Sequence, residues 1–178
     1  MIRILFVCHG NICRSPMAEF VMKKKVADMA ADSSSALCRA GLAASDFEIA
    51  SAATSTEEIG NPVYPPARRL LNARGISCDG HTARQMNQSD YDYYDYIVLM
   101  DRNNLRNLRW NIDADCYRFE TAQGSRSEGR KKISLIMDWT SRPGDVADPW
   151  YTGNFDATWK DVNEGCDGLL DFIITSRK

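Results

Sequence analysis

The residues best suited to chemistry lie in one short stretch near the amino end of the chain, CHGNICRS at positions 8–15. Cys8 is a nucleophile in its thiolate form, and the planar guanidinium of Arg14 matches two oxygens of an oxyanion. The residues between them can wrap their backbone N–H groups around a tetrahedral anion. These loop residues are His9, Gly10, Asn11, Ile12 and Cys13. The stretch therefore predicts an anion cradle in which a nucleophile faces the anion.

The elements on either side of this stretch place it where α/β folds bind ligands. Residues 2–7 are almost continuously apolar, which is typical of a strand buried on both faces of a parallel sheet. Ser15 and Pro16 predict a helix start, because serine is a preferred N-cap and proline suits the first helical position. Ligands of open α/β sheets bind beyond the carboxyl ends of strands, and a helix N-terminus adds positive potential there.

The small residues of the loop fit an anion cradle. Gly10 permits a close backbone approach or a positive φ, and Asn11 is the non-glycine residue that best tolerates a positive φ. The positive potential favours the thiolate of Cys8, to which the Ser15 hydroxyl could donate a hydrogen bond. A thiolate that faces a bound phosphate is a nucleophile for phosphoryl transfer to sulfur. A buried cysteine, an ordinary turn and a surface arginine form the alternative interpretation.

Phosphoryl transfer from an aryl or alkyl oxygen also needs an acid that protonates the leaving group. Seven residues precede Cys8, so the acid must come from further along the chain. Asp148 begins the sequence DPWY in a turn-rich segment after the last predicted strand, which places it at the same edge of the sheet. Asp-Pro is also an ordinary turn dipeptide, so the residue pattern alone leaves both interpretations open.

The rest of the chain alternates predicted strands with predicted helices, which indicates an α/β fold with a parallel sheet in one domain over residues 1–178. Further strands are predicted at 48–52, 96–100 and 133–139. Helices are predicted at 66–74, from an Asp101 cap through 109, and from 155 onward, whereas 30–45 has the composition of a helix end and a loop.

Composition excludes several classes of protein. The 178 residues are 44% hydrophobic and 26% charged, which is ordinary for a globular domain and excludes a disordered chain, a fibre or a coiled coil. A net charge of -2 gives no support for a nucleic-acid partner. No apolar run approaches the roughly 20 residues of a membrane span, so no membrane partner is expected. The six cysteines include no C-x-x-C pair, which argues against a zinc ribbon and favours reduced thiols in a cytoplasmic protein.

Six sequence segments together resemble the low-molecular-weight protein tyrosine phosphatase family. They are VCHGNICRSPMAE (7–19), SAATS (51–55), EIGNP (58–62), HTARQ (81–85), YIVLMDRNNLRNL (96–108) and DPWY (148–151), in the same order as in the family. The resemblance spans nearly the whole chain. It implies a doubly wound fold with a four-stranded parallel sheet flanked by helices, and chemistry that needs no metal and no cofactor.

The resemblance also implies roles for individual residues. Cys8 attacks phosphorus to form a phosphocysteine while Asp148 protonates the departing phenol, and Asp148 then acts as the base for hydrolysis. Arg14 and the loop amides hold the phosphate oxygens. Residues that match Asn11, Ser15, His81 and Asp101 brace the loop in the family. The expected substrate is a phosphotyrosine-containing protein or a small aryl phosphate.

Two further expectations concern the substrate and the redox state of the thiols. Trp150, Tyr151 and Tyr64 could wall a deep slot that accepts a phenyl phosphate and leaves phosphoserine too short, although ordinary loop packing also explains them. Cys13 is either a small packing residue or, as the resemblance favours, a partner that traps oxidised Cys8 as a reversible disulfide.

The chain departs from the family pattern in ways that leave alternatives open. Extra length near 30–45 and 121–147 predicts surface insertions, and His9 occupies a position that is often apolar or threonine. A thiol-linked arsenate reductase needs a close second pair of cysteines, but after Cys78 the next is Cys116. A phosphoarginine phosphatase carries threonine where this chain has Ile12. A non-catalytic module for anion binding or redox sensing is the third alternative.

Overall fold

The sheet consists of four parallel strands in the order β2-β1-β3-β4. The computed structural model describes residues 1–122 and 131–176, so part of the extra length expected at 121–147 lies outside the described residues. The strands are β1 (Ile2–Cys8), β2 (Phe47–Ala53), β3 (Tyr96–Leu99) and β4 (Ile133–Leu135). The predicted class, an α/β fold with a four-stranded parallel sheet, is confirmed.

The order of the strands creates a crevice at the end of β1. The chain crosses from β1 to β2 on one side and then returns to β3 on the other side of β1. Where connections run to opposite sides of a strand, a crevice opens beyond its carboxyl end. Ligands of doubly wound folds bind in this crevice. Cys8 is the last residue of β1 and therefore stands at this point.

Helices cover both faces of the sheet. In the described part of the chain they are α1 (Arg14–Ala31), α2 (Ala36–Arg39), α3 (Pro65–Ala73), α4 (Gln88–Tyr93), α5 (Arg102–Asn107), α6 (Ala114–Thr121), α7 (Pro149–Thr152) and α8 (Phe155–Thr175). None of these helices combines the length and the apolar character that crossing a bilayer requires.

Side chains of β1 alternate between two cores. Ile2, Ile4, Phe6 and Cys8 pack with apolar residues of α1 and α8 on one face of the sheet. Leu5 and Val7 belong to a second core on the other face, together with residues of β3. A strand that is buried on both faces needs apolar residues at nearly every position, which explains the continuous apolar run at the start of the sequence.

Three local expectations are wrong. The fourth strand ends at Leu135, and a 3-10 helix over Ile136–Trp139 follows where a longer strand was predicted. Ser15 does not cap α1: the helix begins two residues earlier than predicted, at Arg14, and Cys13 occupies the cap position without a side-chain hydrogen bond. The segment 30–45 is more than a helix end and a loop, since it contains α2, and Leu37 of this helix is fully buried in the core. The idea that 30–45 is an insertion relative to the family stays a prediction.

The carboxyl-terminal helix α8 packs directly on the 3-10 helix that follows β4. A Cβ atom added at Gly168 would lie 1.8 Å from the Trp139 carbonyl oxygen, and one at Gly165 would lie 2.5 Å from Ile136 Cγ1. Only glycine allows the two backbones to approach so closely. This contact fixes the segment that leads from β4 towards Asp148.

We predict that Gly168→Ala lowers the free energy of unfolding by about 1–3 kcal/mol or more, the range of overpacking substitutions. Alanine is the better helix former by about 1 kcal/mol, so a loss of stability would come from the clash with the Trp139 carbonyl. Gly144→Ala is the control, because a Cβ atom there meets nothing within 4 Å. Chemical denaturation measures both variants, and equal stability of Gly168→Ala and the wild type would refute the close approach.

Candidate active site

The loop after β1 folds back on the Cys8 thiol. The backbone N–H of Asn11 donates to Cys8 Sγ at 3.3 Å, and the Ser15 hydroxyl oxygen lies 3.1 Å from the same sulfur. Asn11 has a φ of 57°, in the left-handed region, so of the two residues considered for a positive φ it is Asn11 that adopts one. Gly10 instead allows a close approach, because a Cβ atom there would lie 3.1 Å from Glu58 Cγ.

The side chain of Asn11 holds the loop in this shape from inside. Its Nδ2 donates to Ser15 Oγ at 2.9 Å and to Ser51 Oγ at 2.8 Å, and its Oδ1 accepts from the Arg84 backbone N–H at 3.2 Å. Asn11 is completely buried. Its amide therefore fixes an energetically costly backbone conformation by satisfying its own hydrogen bonds.

A second layer of hydrogen bonds supports Asn11. His81 Nε2 donates to the Asn11 carbonyl oxygen at 2.8 Å. The Ser51 hydroxyl donates to Glu19 Oε2 at 2.5 Å, and this carboxylate lies 3.9 Å from His81 Nδ1. Ser15 and His81 thus lie where the family resemblance requires them. Their bracing roles remain predictions.

Arg14 lies beneath the loop with 2% of its surface exposed. Its Nη1 donates to Asp101 Oδ2 at 2.5 Å and to the Val146 carbonyl oxygen at 3.1 Å, and its Nη2 donates to Asp148 Oδ2 at 2.6 Å. Burial opposes the charge on the guanidinium, but the negative charges of Cys8 and the two carboxylates outweigh burial and raise the pKa of Arg14. The group therefore stays a cation ready for an anion.

Asp101 and Asp148 reach Arg14 from two different elements. Asp101 follows β3 and caps α5, where its Oδ1 accepts from the Asn104 backbone N–H at 2.7 Å. Asp148 caps α7, where its Oδ1 accepts from the Trp150 N–H at 3.0 Å. Each carboxylate uses one oxygen for its helix and the other for the guanidinium. Asp101 thus caps α5 and also pairs with Arg14; its role in bracing the loop stays a prediction.

Cys8, Arg14 and Asp148 line one cavity of about 120 Å³. Trp150 and Tyr151 form one wall, and Glu57 and Glu58 stand among the other lining residues. Tyr64 is not among the lining residues described. It packs against Trp150, with 4.9 Å between the ring centroids, and so supports the wall from behind. Two of the three residues expected to wall the slot therefore line this cavity, and Tyr64 does not; that the cavity accepts a phenyl phosphate stays a prediction.

Cys13 lies buried in the same loop. Burial, and then the negative charge of Cys8, raise the pKa of the Cys13 thiol far above its ordinary value. Cys13 is therefore a protonated thiol. Both Cys8 and Cys13 are free in this structure, and the disulfide between them stays a prediction.

Sequence reasoning did not assign roles to several residues that the structure brings to the site. Ser51 and Glu19 lie inside segments that carry the family resemblance, so position in those segments was a usable signal. Glu58 begins the segment EIGNP and had the same signal, whereas Glu57 had none, because exposed carboxylates in a loop are common. His9, which departs from the family pattern, lies 3.1 Å from Glu57 through its Nε2. Within residues 1–122 and 131–176 no group of His, Cys, Asp and Glu side chains is arranged to hold a metal ion.

Comparison with known protein families accounts for this arrangement. The family described as low molecular weight phosphotyrosine protein phosphatase matches the chain over residues 3–177, and the chain belongs to this family.

Relatives and solved structures cover the chain almost completely. Low molecular weight protein-tyrosine-phosphatase YfkJ of Bacillus subtilis is 37% identical over 173 residues, which is 97% of this chain and 96% of the relative. Its crystal structure matches with a TM-score of 0.79 at 34% identity and covers 100% of this chain and 98% of the other. PtpA of Staphylococcus saprophyticus is 32% identical over 177 residues, covering 98% and 95%. A Drosophila arginine phosphatase matches with a TM-score of 0.73 at 25% identity, covering 97% and 98%.

We predict that the Asn11 amide and its backbone conformation contribute separately to stability. Asn11→Gly removes the buried hydrogen bonds but tolerates the positive φ, and should lower the free energy of unfolding by about 1–3 kcal/mol. Asn11→Ala adds the left-handed penalty of roughly 1–2 kcal/mol, so it should be the less stable variant. Denaturant titration of both proteins tests this. Equal stabilities would show that the positive φ imposes no constraint.

Proposed function

We propose that this protein hydrolyses phosphotyrosine in proteins through a phosphocysteine on Cys8, with Arg14 as the phosphate clamp and Asp148 as the acid and then the base. The observation that carries this proposal is the bridge from Arg14 to Asp148 in the cavity that also contains Cys8. Nucleophile, anion clamp and proton donor thus converge on a space of about 120 Å³. The expected cytoplasmic location stays a prediction.

The first step transfers the phosphoryl group to sulfur. The Cys8 thiolate attacks phosphorus, the bond between phosphorus and the phenolic oxygen breaks, and the proton of Asp148 goes to that oxygen. Arg14 and the loop N–H groups stabilise the negative charge on the three equatorial oxygens. Arg14 Nη2 binds Asp148, so the incoming phosphate takes over a guanidinium contact and leaves the carboxyl group to the leaving oxygen.

The second step returns the enzyme to its starting state. Asp148, now a carboxylate, accepts a proton from water, and the water oxygen attacks phosphorus. The bond between sulfur and phosphorus breaks and leaves the Cys8 thiolate and free phosphate. The Ser15 hydroxyl, 3.1 Å from the sulfur, and the Asn11 N–H can both stabilise the departing thiolate.

The cavity walls favour an aryl phosphate as substrate. Trp150 and Tyr151 present ring surface to the leaving group, and Ile12 adds an apolar side chain of the loop itself. The similarity to a Drosophila arginine phosphatase makes phosphoarginine a second candidate substrate. The bulk of Ile12 argues against it. Turnover of phosphotyrosine, phosphoserine and phosphoarginine peptides, measured side by side, separates these substrates.

Arsenate reduction is poorly supported because the cysteines lie apart. Cys78 belongs to the core on the α1 and α8 face of the sheet, whereas Cys116 packs against the core on the opposite face. Burial raises the pKa of Cys78, which disfavours the thiolate that a disulfide relay requires.

We predict that Cys8→Ser lowers turnover of a phosphotyrosine peptide by at least about 10⁴-fold, as loss of a nucleophile does. Binding of inorganic phosphate should persist, since backbone amides and Arg14 form most of the cradle. Arg14→Ala should lose both binding and turnover. Single-turnover kinetics and calorimetry measure these quantities, with circular dichroism to confirm folding. Appreciable activity in Cys8→Ser would exclude the covalent mechanism.

We predict that loss of Asp148 slows turnover most for substrates whose leaving group is most basic. Asp148→Asn keeps the side-chain shape and should lower kcat on phosphotyrosine by roughly 10²–10⁴-fold, the scale of general-acid catalysis. An aryl phosphate with an acidic phenol needs little protonation and should lose far less. Plots of kcat/KM against leaving-group pKa should be shallow for the wild type and steep for the variant. Parallel slopes would assign the acid to another group.

A further inference from the structure

A second and larger cavity, about 480 Å³ in volume, adjoins the phosphate cavity. The two cavities share His9, Arg14, Asp148 and Tyr151 as lining residues. These four residues therefore form the partition between the two cavities. The two-step reaction described above uses the first cavity and assigns no ligand to the second. The volume suffices for a long side chain together with part of its backbone.

Five of the seven residues that line the second cavity alone have polar side chains. This lining comes from the segment after β3 and from the loop before Asp148, and its polar side chains are Asp101, Asn103, Asn104, Asn107 and Asp145. Carboxylates accept hydrogen bonds, and amides both donate and accept them. A ligand that fits must therefore carry strong hydrogen-bond donors.

One buried amide in this lining has an unused donor. Asn104 is 1% exposed, and its Oδ1 accepts from the Met100 backbone N–H at 3.2 Å. Among the described residues, its Nδ2 has no hydrogen-bond partner. Asn104 borders the cavity. This donor is therefore available to an acceptor oxygen of a ligand in the cavity.

The charge of the cavity changes when phosphate binds. Arg14 binds both Asp101 and Asp148. A phosphate oxygen that accepts a hydrogen bond from Arg14 weakens the pairing of Arg14 with the two carboxylates. Less of their negative charge is then neutralised. Asp145 is half-exposed and lies 3.5 Å from Arg102 Nε. Exposed ion pairs of this kind contribute little to stability, so Asp145 can exchange Arg102 for another cation. The occupied site therefore attracts a further positive charge.

We propose that the second cavity binds a lysine or arginine side chain that neighbours the phosphotyrosine in the substrate polypeptide. Asp145 receives the cationic group, and Asn104 Nδ2 donates to a carbonyl oxygen of the same segment. Because the two cavities share four lining residues, a long side chain next to the phosphotyrosine can enter the second cavity while the phosphate occupies the first. The assignment rests on the proposed function, which supplies the phosphotyrosine.

The experiment compares phosphotyrosine peptides that differ only at one neighbouring position, with lysine, glutamine or glutamate there, before or after the phosphotyrosine. For the wild type, kcat/KM should be roughly three- to tenfold higher for the lysine peptide than for the glutamate peptide on at least one side, as half-exposed charge contacts allow. The ratio should shrink as salt is raised from about 0.05 to 0.5 M, because exposed charges are screened.

Four variants test whether this cavity is the source of the preference. Asp145→Asn should reduce the ratio towards one, and Asn107→Asp, which adds a carboxylate to the same lining, should increase it. Glu48→Gln is the matched control, since Glu48 lies near the amino end of β2, at the far edge of the sheet, and its ratio should equal that of the wild type. Glu57→Gln tests the other rim of the phosphate cavity and should retain the lysine preference.

The outcomes separate this proposal from the proposed function. If the wild type turns over none of the phosphotyrosine peptides, the proposed function itself is wrong. Turnover without a lysine preference, or a preference for the glutamate peptide, would overturn only the cavity assignment. A preference that survives in Asp145→Asn and does not grow in Asn107→Asp, or one that disappears in Glu57→Gln, would also overturn it. If Asp145→Asn fails to fold, Asn107→Asp decides alone.

Discussion

The structure depends on one buried cation. Arg14 is almost completely enclosed, and an unpaired charge in such a place is too costly for a folded protein to keep. Its partners come from the end of β3, from the loop before α7 and from the backbone carbonyl of Val146. The guanidinium therefore joins the carboxyl end of the sheet to the acid loop. Removal of one partner from such a pair costs about 3–5 kcal/mol, so the requirement to pair Arg14 also holds Asp148 in place.

Much of this could be read from the sequence, because the patterns concerned are local. The apolar run of β1, the Asp101 cap and the apolar face of α8 each follow from periodicity or capping, and the structure confirms all three. The cradle could be recognised because its residues are consecutive. The acid needed the family resemblance, since nothing local distinguishes Asp148 from an ordinary turn residue.

The sequence was least informative where tertiary contacts override local preference. Ser15 has the chemistry of an N-cap, yet its hydroxyl lies near Cys8 Sγ and 3.3 Å from the Ala52 carbonyl oxygen. Residues 136–139 have strand composition, but close contact with Gly165 and Gly168 of α8 accompanies a 3-10 turn there. Tyr64 lies behind Trp150 for a similar reason, because packing between distant segments decides which ring faces the cavity. Such outcomes depend on residues far away in the chain.

The separation of the Arg14 partners along the chain has a consequence for biosynthesis. Asp101 follows Arg14 by 87 residues and Asp148 follows it by 134. A ribosome makes the chain from the amino end, so the cradle residues are made before Asp101 and Asp148, the two carboxylates that pair with Arg14. A nascent chain that stops before Asp148 holds the nucleophile and the cation but lacks one of the two carboxylates that neutralise them. Closure of the site over Arg14 is therefore a late event, and Cys8 can be enclosed only after Asp148 has been made.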